Sequence, residues 1–125
     1  MSEVKYSQDH EWLILNDDGI ATVGITVYAQ KELGDVVYVE LPDMDKQVEK
    51  DDDVAVIESV KTASDIKSPI SGVIVGINDD LNDDPEKVNA DPQGEGWIFK
   101  LKLTDETEIN QLMDESSYNA YVGNA

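Results

Sequence analysis

The sequence predicts a mainly β fold, a compact sandwich or barrel carrying short helices at its periphery. Three observations support this. Short runs rich in Val, Ile, Tyr and Trp recur along the chain, each closed by Gly, Pro or Asp-rich turns. The links between the central runs are too short to hold crossover helices, which excludes a regular βαβ alternation. A helical period appears over a sustained stretch only near the C-terminus. At 125 residues the chain matches one domain, large enough to hide roughly two thirds of its unfolded surface without staples.

Taken in order, Trp12-Leu13-Ile14-Leu15 and residues 20–25 read as two strands joined by a turn over residues 16–19, signalled by Asp18-Gly19. Thr26 is placed to cap a short helix through Ala29 to Leu33, with Gly34 as a left-handed stop. Residues 35–41 form a strong strand ended by Pro42. A charged stretch, residues 43–53, leads into Val54-Ala55-Val56-Ile57, the first arm of a tight hairpin. Residues 73–77 are a further strand, closed by a polar loop over residues 78–84. Asp84-Pro85 reads as an N-cap and first-turn proline opening one helical turn to about Val88. Gly94-Glu95-Gly96 permits a turn before the alternating strand of residues 97–103. From Asp105 to about Asp114 the period becomes helical, with Asp105 and Glu108 as a capping box and Ile109, Leu112 and Met113 on one face. Ser116 or Ser117 would cap a last turn bearing Tyr118, Tyr121 and Val122. A weak internal echo, with a valine-rich strand, a proline and an acidic loop on each side of the hairpin, suits a flattened barrel of approximate two-fold symmetry.

Nine lysines, no arginine and 28 acidic residues give a net charge of −19. Nucleic acid and anionic membrane are excluded as partners by this field and by the lack of arginine forks. The acidity serves solubility and self-repulsion, or steering onto basic patches of larger enzymes. Without cysteine there are no disulfides, thiolate metal sites or sulfur nucleophiles. No apolar run is long enough to span a bilayer. The opening residues Met1 to Tyr6 show neither a basic-then-apolar signal nor a basic amphipathic presequence, so a cytoplasmic location is expected.

The chemistry centres on Lys61. It stands alone in Glu58-Ser59-Val60-Lys61-Thr62-Ala63-Ser64-Asp65-Ile66, between two β-prone runs, and so belongs at a hairpin tip. An amine presented there suits covalent attachment of a swinging group better than catalysis. His10, the single histidine, invites a general-base role, but no partner nucleophile accompanies it, and a structural hydrogen bond beside Trp12 is expected instead. The aspartate clusters 51–53 and 79–84 lack the alternating ligands, central glycine and closing glutamate of a calcium loop, and read as solvated turns. Gly34 and Gly72 read as turn or close-packing positions. Trp12, Trp97 and Phe99 read as core.

These residues together resemble the glycine cleavage system H protein family. The resemblance runs nearly end to end: His10-Glu11-Trp12; Gly24-Ile25-Thr26 with Ala29; residues 33–42; Glu58-Ser59-Val60-Lys61; Ser64-Asp65-Ile66; residues 68–72; Val88-Asn89 with Asp91-Pro92; and residues 94–97. The lysine motif alone is shared with biotinyl and lipoyl domains generally. Biotinyl domains place methionines around their lysine, whereas Val60 and Thr62 stand here. The lipoyl domains of 2-oxo acid dehydrogenases lack the His-Glu-Trp opening and the C-terminal helix.

The resemblance implies the lipoyl/biotinyl-type barrel-sandwich hybrid, or hammerhead, in a single carrier domain over residues 1–125. Its core would span about residues 10–103 and its C-terminal helical segment about 105–122. It implies a non-catalytic carrier with lipoate in amide linkage on Lys61, within the hairpin motif of Glu58, Ser59 and Val60. A lipoate ligase or octanoyltransferase would attach the group, supplying the base that deprotonates the lysine, since Glu58 and Asp65 would favour the ammonium. The arm would take the aminomethyl group of glycine from a pyridoxal-phosphate-dependent glycine decarboxylase to a tetrahydrofolate-dependent aminomethyltransferase, and dihydrolipoamide dehydrogenase would reoxidise it. The loaded arm would fold into a cleft where Glu11, helped by Asp9 and Asp65, meets its ammonium and excludes water. A monomer is expected. The alternatives are a relay hub passing lipoyl groups to 2-oxo acid dehydrogenases, a small hydrolase using His10 and Glu11, and a purely structural acidic domain.

Overall fold

The computed structural model describes residues 4–16 and 18–123. Part of the expected N-terminal reading (Met1 to Glu3), and Asp17 of the first hairpin turn, lie outside the described residues. Along the chain run β1 (Val4–Tyr6), β2 (Glu11–Leu15), β3 (Ile20–Ile25), α1 (Val27–Leu33), β4 (Val36–Glu40), β5 (Gln47–Val48), β6 (Asp53–Ser59), β7 (Ala63–Lys67) and β8 (Gly72–Ile77). Then come α2 (Asp80–Asp83), α3 (Lys87–Ala90), β9 (Phe99–Leu103), a 3₁₀ helix (Glu106–Gln111) and α4 (Glu115–Gly123).

The strands form two antiparallel sheets, one of six strands in the order β1-β2-β3-β9-β8-β5 and one of three in the order β4-β6-β7, and neither closes on itself. The mainly β hybrid expected from the sequence, with peripheral helices and a helical C-terminus, is the fold adopted. Leu13, Val23, Ile25, Val39, Ile57, Ile66, Ile74 and Leu101 fill the space between the sheets. Period-two alternation sends the opposite side chains of β1 and β2 to a second cluster, where Tyr6, Trp12 and Tyr118 pack with Ile14 and Met113. This end of the large sheet is therefore covered on both faces, which explains why Trp12-Leu13-Ile14-Leu15 reads as a continuous apolar run. Trp12 also donates from Nε1 to the Pro92 carbonyl at 2.8 Å. Phe99 is fully buried, whereas Trp97 is half-buried with Lys100 Nζ 4.9 Å above its ring.

Several local expectations are corrected by long-range partners. Glu108 does not close a capping box. Its carboxylate accepts from the Ser71 backbone N–H at 2.6 Å and hydroxyl at 2.9 Å, fastening the C-terminal segment to the start of β8. Asp105 caps alone, through Thr107, and the segment winds as 3₁₀ rather than α. Neither Ser116 nor Ser117 caps α4; Asp114 does, its Oδ1 accepting from Ser117 N–H at 2.8 Å, and these bonds hold its carboxyl below the usual range. Asp84 follows α2, and α3 has no side-chain cap. The short strand β5 pairs with β8 inside the stretch read as a charged loop. Thr26 does cap α1, accepting from Ala29 N–H at 3.2 Å. Gly34 has φ 82 and ψ −153, a conformation open essentially to glycine alone, outside the left-handed helical basin expected. Gly72 is a close-packing position, since a Cβ there would lie 2.6 Å from the Lys102 carbonyl oxygen.

Candidate functional site

The pairing of β6 with β7 runs out to Glu58 opposite Ala63, leaving Val60 and Lys61 as the central residues of the tip. Neither has a positive φ, so the mirror-image turns that two-residue hairpins favour are not used. The Ser59 hydroxyl does the work instead: its Oγ accepts from the N–H groups of Lys61 and Thr62, both at 3.2 Å, while Ser59 N–H donates to the Thr62 carbonyl at 2.7 Å. A second brace comes from outside. Val60 N–H donates to the Asp35 carbonyl at 3.0 Å, tying the tip to the loop between α1 and β4.

That loop is clamped in turn by Asn89 on α3. Its Oδ1 accepts from Val36 N–H and its Nδ2 donates to the Gly34 carbonyl, both at 2.8 Å. Asn89 thus stiffens the lysine tip without touching it. Asn89→Ala is expected to destabilise the protein by about 1–3 kcal/mol and to speed amide exchange at Val60. Unchanged exchange at Val60, measured by amide hydrogen exchange in NMR, would show that the clamp does not reach the tip.

Lys61 is exposed, and among the described residues its ammonium makes no hydrogen bond or ion pair. Its stem passes over Gly34, where a Cβ would come within 3.1 Å of Cε. Glycine there supplies both the backbone conformation and the room for the lysine.

Beside the tip lies a cleft of about 410 Å³, walled on one side by residues 62–67 and on the other by α1, with Asp9, His10 and Glu11 also lining it. The three acids expected at a cleft, Glu11, Asp9 and Asp65, are thus brought together, though not equivalently. Asp9 and Asp65 are exposed at the rim, whereas Glu11 is only 3% exposed. Its Oε1 accepts from the Ser7 hydroxyl at 2.5 Å, and the same Ser7 Oγ accepts from Glu11 N–H at 3.0 Å. Burial pushes the Glu11 carboxyl up to about 7; the Ser7 hydrogen bond and Lys67 oppose the rise, and the charge of Asp9 adds to it. Glu11 is therefore no ordinary surface acid.

His10 sits at the cleft in a left-handed conformation, φ 70. Its Nδ1 lies 2.8 Å from the Tyr118 hydroxyl, which also meets Thr26 Oγ1 at 2.8 Å. Its ring packs on Tyr28 at 4.5 Å. The expected hydrogen bond exists, but its partner is the C-terminal helix. Burial lowers the His10 pKa against the opposing pull of Asp9 and Glu32. Tyr118 stacks on Tyr6 at 4.5 Å, and Tyr121 Oη donates to the Gln8 carbonyl at 3.2 Å, so α4 holds the turn from which Asp9 projects. Glu58 and Val60 are exposed on the hairpin. Among the described residues, no group of three or more His, Asp or Glu side chains is placed to hold a metal.

Ser7, Asn89 and Tyr118 are site residues whose roles the sequence does not disclose. Asn89 belongs to the Val88-Asn89 segment that carries the family resemblance, but no local pattern marks its amide as a clamp on a loop 53 positions away.

An unpaired amine on a braced tip, next to an apolar-walled cleft with a buried carboxylate, is the geometry of a carrier-type site. Comparison with known proteins agrees. The glycine cleavage H-protein family matches residues 4–125, and the chain belongs to that family. It is 51% identical over 123 residues to the glycine cleavage system H protein of Rhodospirillum rubrum, covering 98% of each chain. To that of Cronobacter sakazakii it is 56% identical over 119 residues, covering 95% of this chain and 92% of the other. The crystal structure of a glycine cleavage system H protein from Mycobacterium marinum superposes with a TM-score of 0.89 at 36% identity, covering 97% of both chains.

Proposed function

We propose that this chain is a non-catalytic lipoyl carrier of the glycine cleavage system, acting as one domain with lipoate in amide linkage on Lys61. In this reading it moves the aminomethyl group of glycine from the pyridoxal-phosphate-dependent glycine decarboxylase to the tetrahydrofolate-dependent aminomethyltransferase. Dihydrolipoamide dehydrogenase then restores the oxidised arm. The proposed compartment is the cytoplasm; among the described residues no helix is long and apolar enough to cross a membrane. The observation that carries the reading is the exposed, unpaired Lys61 ammonium on its Ser59-braced tip, in a chain of the H-protein family.

The residues present fit such a group. Ile25, Ala29, Leu33 and Ile66 offer apolar wall to a hydrocarbon arm, and Glu11 offers a carboxylate to an amine. When bound, lipoate supplies a cyclic disulfide that takes up and gives back a one-carbon unit and electrons. The chain's own part is positional. Ser59 and the Asp35 carbonyl hold the tip, and Gly34 leaves the lysine stem room to lie over the loop. A cation entering the cleft stabilises the ionised form of Glu11, whose proton passes to solvent, and the resulting pair forms where little water competes. Asp9 and Asp65 make the rim attractive to that cation. The carrier lowers no barrier; it raises effective concentration at each partner.

Intact mass after treatment of the purified chain with lipoate, ATP and a lipoate ligase tests the attachment. One lipoyl addition is expected, mapping to the peptide that contains Lys61; no addition, or addition at another lysine, overturns the proposal. The cleft is tested separately. Glu11→Ala should shorten the lifetime of the loaded carrier about tenfold or more, as expected for loss of a charged hydrogen bond in a sheltered site. An unchanged lifetime would remove Glu11 from the mechanism.

A further inference from the structure

The outer face of the small sheet bears a feature that neither the attachment nor the cleft uses. Among the described residues six large hydrophobic side chains are exposed, and three of them, Val37 at 55%, Tyr38 at 49% and Val60 at 68%, gather at the lysine tip. The register shows why. A bulge between Val36 and Tyr38 breaks the alternation of β4, so two consecutive side chains face solvent, while Val36 and Val39 on either side are buried. Tyr38 then lies opposite Glu58, and Val60 is tied to the Asp35 carbonyl just before β4. Among the described residues β4 is also an edge strand, paired only with β6. Asp35, Glu40 and Glu58, all exposed, flank the apolar centre: Asp35 and Glu40 bracket it along the chain and Glu58 lies opposite Tyr38.

Apolar residues at the centre of an acidic rim have the anatomy of a docking surface. We propose that Val37, Tyr38 and Val60 form the docking site for the enzyme that acylates Lys61, and that this enzyme presents an apolar pocket rimmed by lysine or arginine. The proposal rests on the carrier reading above and adds the recognition surface. The rim charges favour a basic partner, which matches the charge of −19 on the whole chain. Distance selects the acylating enzyme among basic partners. It must bring an activated carboxyl carbon to Nζ itself, so its surface has to contact the tip. An enzyme that acts on the far end of a long arm has no such need to contact the tip. In the step served, a base on the enzyme takes the ammonium proton and Nζ attacks the carbonyl of a lipoyl-adenylate. The C–N bond forms, the C–O bond to the adenylate breaks, AMP leaves with the electron pair, and the second proton on nitrogen passes to solvent to leave the neutral amide.

The test compares acylation by a lipoate ligase, with lipoate and ATP as the probes, of wild-type apo-chain and of Val37→Ser/Tyr38→Ser, with Met44→Ser as an exposed apolar control away from the tip. The double variant should raise KM for the carrier about tenfold or more with little change in kcat, as loss of central anchors does; the control should match wild type. Added salt should raise KM in all three. Because the altered side chains are exposed, the thermal midpoint should be unchanged; should it fall, a photo-crosslinker placed at position 38 gives the answer in an otherwise unaltered chain, by joining the ligase or failing to. Equal KM for double variant and wild type overturns the proposal while leaving Lys61 acylation intact, whereas absence of acylation in wild type overturns the carrier reading itself. Equal impairment of dihydrolipoamide dehydrogenase on the finished arm would also overturn it, as would a wild-type dimer, seen by sedimentation, that the double variant abolishes.

Discussion

Arginine at position 61 is expected to leave the fold intact and to reduce acylation to background. Lysine and arginine carry the same charge on similar stems, but the guanidinium stays protonated across the whole working pH range and cannot act as an acyl acceptor. Lys61 is exposed, and its ammonium has no partner among the described residues. Stability should therefore move by no more than about 0.5 kcal/mol. Intact mass after ligase treatment and a thermal melt together check the two halves of the expectation. A carrier loses all delivery of the one-carbon unit in a reconstituted system. A hydrolase built on His10 and Glu11, or a scaffold that only binds, would keep its activity. Retention of the added mass in Lys61→Arg would place the attachment on another lysine.

Glutamine at position 11 is expected to stabilise the protein at about pH 8 by roughly 3 kcal/mol and to change nothing at about pH 4. The Glu11 carboxyl is raised from 4.5 to about 7, chiefly by burial. A folded-state value above the unfolded one means that the folded chain holds a proton the unfolded chain releases. The contribution of the neutral acid is complete below 4.5 and is lost as pH rises through about 7. Across that window wild type loses about 1.4 kcal/mol per pH unit from this group, and the neutral amide of Glu11→Gln does not. Urea unfolding of both proteins across the pH range gives the difference directly. Parallel curves would show that Glu11 is solvated when ionised and that the cleft does not shelter it. The same burial that makes the ionised form unfavourable in the free chain makes it a strong partner for an arriving cation.

The hairpin and its lysine were readable because their causes are local. A β-prone run, a serine, a lone lysine and a second β-prone run specify strand, turn and strand within a dozen residues. The Thr26 cap and the strand of residues 20–25 are legible for the same reason. Glu108 misled because Asp105-x-x-Glu108 satisfies a local capping pattern, yet Ser71, 37 positions away, offers two donors and wins the carboxylate. Ser117 misled similarly, since Asp114 caps α4 with a charge-assisted bond. The β5 strand is not legible in the sequence because two residues carry no period; only its pairing with β8 makes it a strand. Glu11, Asp9 and Asp65 are marked out only by the family resemblance. Nothing in His10-Glu11-Trp12 itself says that one acid is buried and the other two are exposed at the rim.

By itself the sequence determined the β-rich character, the amine at a turn, the absence of thiols and the acidic field, because composition, side-chain period and turn chemistry act over a few residues or over the chain as a sum. Tertiary structure alone decided that Glu11 is desolvated, that Asn89 clamps the loop supporting the tip, that Tyr118 reaches His10 across 108 positions, and that Val37, Tyr38 and Val60 gather around Lys61. Desolvation and hydrogen-bond competition depend on which atoms from distant segments come within a few ångströms, and only the folded chain assembles those atoms.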